Sequence, residues 1–160
     1  PPNPKGLQSL PTVVNQQALF ARRDLRSGTR VLLDDLLAQA ELPMTALRCL
    51  PHDEPSHAAV AEAVASGQAD VGLGLQSAAA TRGLAFVPLV QEHFYLVCLK
   101  STLDSPANTA LREVLQHSSW LDELSALAGY APLQSGQVQS LRAILPWWRY
   151  RREKHPRATV

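Results

Sequence analysis

Little in this sequence offers reactive chemistry. It has only two cysteines, Cys49 and Cys98, each inside an apolar run. They have neither metal-ligand spacing nor a disulfide framework, so both read as reduced core residues. No apolar run approaches the roughly 18 residues that a membrane span requires. The N-terminus lacks a signal-peptide pattern. The chain opens on "PPNPKG" without a Met, so it reads as a processed or excised piece. Internal repeats and low-complexity segments are absent. No Gly-x-Ser-x-Gly elbow precedes a helix, and the glycines of "GLGLQSAAATRG" fit neither phosphate-loop spacing. A Ser-His-Asp triad needs only to meet in space, but no acid–base constellation is visible. The expectation is a protein that is not an enzyme and holds no metal or cofactor.

What is present describes an ordinary soluble domain. The chain has 160 residues, 46% hydrophobic and 18% charged, which fits one domain with a real core, or one domain plus a tail. The net charge of +1 hides an asymmetry. From Arg142 onward six Lys/Arg face Glu153 alone, a net +5, while the first 141 residues hold nine Lys/Arg and thirteen Asp/Glu, a net −4. The end, "LPWWRYRREKHPRATV", mixes aromatic and basic residues as nucleic-acid and membrane binders do. The plainer reading is a helix packing Trp147, Trp148 and Tyr150 on the body, followed by a solvated end.

Punctuation along the chain predicts the elements. Residues 1–16, rich in Pro and Gly at the start, read as a crossover or linker. "QALFA" at 17–21 reads as a strand. Ser27 caps a helix carrying Val31, Leu32, Leu33, Leu36 and Leu37, with Asp34 and Asp35 outward, which ends near Pro43. "MTALRCLP" reads as a second strand. Ser56 caps a helix that closes at Gly67, and Asp70 then opens the strand "VGLGL". A short helix spans Ser77 to Gly83. "LAFVPLV" and "HFYLVCLK" are further strand candidates. Two helices follow between Ser105-Pro106 and Gly129. Strands alternating with helices predict an α/β fold with helical crossovers.

The most informative stretch is "ARRDLRSGTRVLLDDLLAQA", residues 21–40, which gathers Arg23, Ser27, Gly28, Thr29 and Arg30 at a helix start. A helix N-terminus offers unpaired N–H groups and partial positive charge to an anion. Gly28 permits close approach, Ser27 and Thr29 add hydroxyls, and an arginine supplies a planar fork. The competing reading is a plain cap with solvated arginines. "HDEPSH" lacks the fixed spacing of a metal site; Ser56 and His57 instead form a second anion-facing helix start, or a plain cap.

Three motifs in order, "NPKGL" at 3–7, "R-x-x-x-SGTR" at 23–30 and "SHAAVAEAVASGQADVGLG" at 56–74, supported by "LREVLQHSSWLDELSALAGY", carry a family resemblance. The chain resembles the type II periplasmic-binding-protein-like domain of molybdate- and tungstate-related bacterial regulators. The resemblance implies two α/β lobes clamping a small oxyanion or anionic cofactor, with Arg23, Ser27, Gly28 and Thr29 at the oxyanion-holding positions. Ser56 and His57 then face the same cleft, and Asp70 supports the strand start. It further implies that the first lobe is missing, that residues 17–138 form the ligand-binding domain and that 139–160 form a basic aromatic tail. DNA contact would come only through a helix-turn-helix domain absent from this chain, in the cytoplasm. A transporter's solute-binding component, periplasmic if a signal peptide precedes, is the related alternative. An orphaned lobe acting as a homodimerisation module is the other. Secreted molybdate binders place Tyr where this chain has Leu75.

Overall fold

The fold is described from a computed structural model covering residues 3–145. The chain divides into two compact units, Pro1–Val97 with Leu124–Ala131, and Cys98–Glu123 with Pro132–Val160.

The first unit is built on a small parallel sheet. Strand β1 (Phe20–Ala21) pairs in parallel with β2 (Val71–Gly72) in the register Phe20↔Val71. On its other edge Phe20 forms a parallel bridge with Cys49, closed by Phe20 N–H to Arg48 O at 2.8 Å and Leu50 N–H to Phe20 O at 3.0 Å. β1 is therefore central. Its two residues point to opposite faces, as strand geometry requires, and each face is covered by a different helix.

Helix α1 (Leu10–Asn15) and helix α2 (Gly28–Gln39) cover the Phe20 face, where Leu7, Leu10, Val13, Leu33, Leu37 and Phe20 form one buried cluster. Helix α3 (His57–Ala65) covers the other, packing Val60 and Ala63 on Ala21, Leu50 and Ala69. These layers form because the apolar positions recur at helical spacing on α2 and α3, while Ser27 and Ser56 accept Arg30 and Ala59 N–H at their starts. Helix α4 (Gln76–Thr81) follows β2.

Several expectations need correction. The linker expected over residues 1–16 contains α1, because Leu7, Leu10 and Val13 recur on one side and are buried. "MTALRCLP" starts as a 3₁₀ turn, Met44–Ala46, and reaches the sheet only at Cys49. "LAFVPLV" and "HFYLVCLK" form no strand. Their composition suits a sheet, but strand formation needs a ladder partner, and among the described residues none pairs with them. Cys98 is exposed rather than in the core, and Cys49 is half-buried; burial raises the Cys49 thiol pKa against the opposing pull of Arg22 and Arg30.

In the second unit, helix α5 (Pro106–Gln116) starts on Ser105 with Pro106 in its first turn, as predicted. Helix α6 (Ser118–Ala126) follows, its residues from Leu124 onward counted with the first unit. Ser135 Oγ donates to Leu115 O at 2.6 Å and Gln116 Nε2 to Gly136 O at 3.2 Å, which ties the 132–140 segment to α5. Helix α7 (Leu141–Ile144) opens the predicted tail. Trp147, Trp148 and Tyr150 lie outside the described residues. Among the described residues no helix is long and apolar enough to cross a membrane, and no three metal-ligating side chains gather.

Candidate functional site

All the strand pairings of the first unit are parallel, so the carboxyl ends of its strands lie at one edge. α2 and α3 begin there on opposite faces, and a crevice at such an edge is where open α/β sheets take ligands. Both starts are prepared in the same way. Ser27 Oγ accepts Arg30 N–H at 3.2 Å and donates to Asp24 O at 2.8 Å. Ser56 Oγ accepts Ala59 N–H at 3.0 Å. Each cap satisfies one N–H and leaves the first two of its helix. Among the described residues Gly28, Thr29, His57 and Ala58 donate no backbone hydrogen bond.

The two starts adjoin. Thr29 Oγ1 lies 3.5 Å from His57 Nε2, across 28 residues of chain. Arg23 holds the second start in position: its Nε donates to Glu54 O at 3.1 Å and its Nη2 to Pro55 O at 3.2 Å. A parallel bridge between Arg23 and Glu54 reinforces that hold, with Glu54 N–H on Arg22 O at 2.7 Å. Gly28 faces open space, since a Cβ there would meet no atom within 4 Å.

Of the residues singled out by sequence, Thr29 and His57 touch, while Ser27, Gly28 and Ser56 frame the same edge. Arg23 spends two of its nitrogens on carbonyl groups. Arg30 is buried, 8% exposed, with Nε 3.5 Å from Asp34 Oδ1 and Nη1 enclosed without a partner among the described residues. His57 is held toward its neutral form. Burial lowers its pKa below the usual imidazole value, the Arg23 charge lowers it further, and Glu92 opposes both. Its Nδ1 is enclosed, without a partner among the described residues, 3.7 Å from where a Cβ on Gly74 would stand.

Sequence reasoning missed the supporting residues. Asp24 accepts Arg26 N–H at 2.9 Å and shapes the loop before Ser27. An Asp three residues before a capping Ser was a usable turn signal. Buried Glu54, bonded to His52 Nε2 at 3.2 Å, and the Arg22–Asp53 ion pair at 2.6 Å depend on a strand pairing that no local pattern announces.

The family model of the PBP superfamily domain matches residues 1–116. The chain is 32% identical over 136 residues to the uncharacterized protein YvgK of Bacillus subtilis (strain 168), a match covering 85% of this chain and 44% of that protein. It is 31% identical over 84 residues to an uncharacterized protein in the ferredoxin 2Fe-2S gene 5′ region of Clostridium pasteurianum, covering 52% of this chain and 74% of that one. The chain thus spans less than half the length of the Bacillus relative. No solved structure matches it at a significant level.

Proposed function

The chain belongs to the PBP superfamily, and from that premise we propose that it is a ligand-sensing domain for a small oxyanion such as molybdate or tungstate, or for a larger anionic cofactor. The observation that carries this reading is the meeting of two capped helix starts with four undonated N–H groups between them. Each helix start favours negative charge by about 0.3–1 kcal/mol, and more where solvent is partly excluded. Two starts converging on one edge suit an anion of two charges better than a neutral solute. Arg23 contributes by fixing the second start, and Ser27, Gly28, Thr29, Ser56 and His57 contribute the surface. The reading includes a bacterial regulator: occupancy would be relayed to a DNA-binding domain outside this chain, through the ligand's differential affinity for the closed state.

Isothermal titration of the 160-residue chain with molybdate, tungstate, sulfate and phosphate tests it. Saturable binding of at least one is expected, weakened roughly tenfold in Arg23→Ala, about 1.4 kcal/mol. The absence of heat with all four would sink the oxyanion reading.

A second reading, a dimerisation module, is favoured by a different observation: Phe94, Leu96 and Val97 are 71%, 71% and 72% exposed.

A further inference from the structure

The anion reading counts His57 in its surface but gives its two ring nitrogens no role. As the first residue of α3, it reaches the second residue of α2 through Nε2, 3.5 Å from Thr29 Oγ1. Its other nitrogen, Nδ1, is enclosed beside Gly74, in the loop that leaves β2, without a partner among the described residues. One imidazole therefore sits where the loops from all three paired segments converge. Gly74 has no side chain to fill the space next to Nδ1.

A neutral imidazole offers one N–H, whereas the protonated ring offers two and a full charge. Among the described residues, the charged groups that act on it are Arg23, from the segment after β1, and Glu92, from the segment after α4; Thr29 of α2 is uncharged. In the free protein, enclosure and Arg23 work against the charged ring, and Glu92 favours it. An anion resting on the two helix starts adds negative charge beside the ring and an acceptor for its N–H groups, reversing that balance.

We propose that His57 is the specificity-determining residue of this crevice: it takes up a proton from solvent as an anion settles on the two helix starts, and so favours fully ionised, doubly charged oxyanions over neutral or singly charged ligands. This rests on the anion reading of the site. The linkage has a definite sign. Below the free-state pKa of His57 the ring is already charged, and affinity does not change with pH. Above its pKa in the complex, affinity is again flat and lower. Between the two, affinity falls by up to about tenfold per pH unit as pH rises.

The test is titration of the 160-residue chain with molybdate and with sulfate across roughly pH 5–8, where an imidazole titrates, in buffers of differing ionisation enthalpy. The expected result is affinity that falls with rising pH, with buffer-dependent heat that reports proton uptake. His57→Gln should keep measurable affinity and lose the pH dependence. Ring resonances of His57 in the unaltered chain should titrate at higher pH with molybdate present than without it, which keeps the test independent of the variant's folding. If neither anion binds at any pH, the anion reading and this inference fall together. If they bind with pH-independent affinity and no proton uptake, or if His57→Gln keeps the full pH dependence, the inference alone falls.

Discussion

Asp70 shows how a single side chain positions the sheet that carries the site. Its Oδ2 accepts Leu19 N–H at 2.8 Å, just before β1, and its Oδ1 meets Lys5 Nζ at 2.8 Å. The hydrogen bond from Lys5 lowers the carboxyl pKa most, and the Leu19 N–H lowers it further. Sequence reasoning expected Asp70 to hold the entry of the strand that it opens; its carboxylate holds Leu19, at the entry of β1. Because the folded pKa is depressed, the contribution is present above the unfolded value, about 3.9. It is lost as pH falls through that value toward the folded one. Asp70→Asn is therefore expected to lower the urea midpoint at neutral pH, with the gap to the unaltered chain closing in acid. A gap of equal size at acid pH would show that the charge is irrelevant. Residue-scale features of this kind were the most legible in the sequence. Ser27, Ser56 and Ser105 were each readable as caps, because a cap acts on the N–H three residues ahead.

At the scale of elements, the critical contact is between α3 and the sheet. A Cβ on Gly72 would stand 2.9 Å from Ala21 O and would collide with Val60 Cγ1. The carbonyl belongs to the central strand and Val60 is buried, so neither can give way cheaply. Gly72→Ala is expected to destabilise the first unit by about 1–3 kcal/mol, the usual range for overpacking a filled site, as read by chemical denaturation. A loss well under 1 kcal/mol would mean that α3 packs less closely than this. The sequence placed Gly72 in a strand, but it could not name the helix that packs on it. The same limit explains the misread strands. Residues 44–51, 84–90 and 93–100 have strand composition, yet pairing is decided by partners distant in sequence. It also explains the site. Both helix starts were legible locally, whereas the Thr29–His57 contact exists only because two crossovers bring residues 28 positions apart to one sheet edge.

At the scale of the whole molecule, residues 86–97 of the first unit concentrate exposed apolar side chains. Phe94, Leu96 and Val97 are mostly exposed, with Tyr95 about half-exposed. Contiguous apolar surface beyond a few hundred Å² on a soluble protein usually marks a contact surface. Backbone groups without ladder partners in the same segment add a reason to pair. A second copy of the chain would present the same surface, and a two-fold arrangement would let each copy cover the other. The dimerisation reading therefore predicts a specific behaviour: light scattering should give twice the chain's 17.4 kDa mass at high concentration, falling to the monomer on dilution. Replacing Leu96 and Val97 together by Glu should abolish the association. These side chains are 71% and 72% exposed, so the fold should persist, and anion affinity should stay within about twofold, since surface changes away from a site cost little. A clean monomer at every concentration would overturn the dimerisation reading. Loss of anion binding together with the dimer would mean instead that the site needs a second copy to be complete.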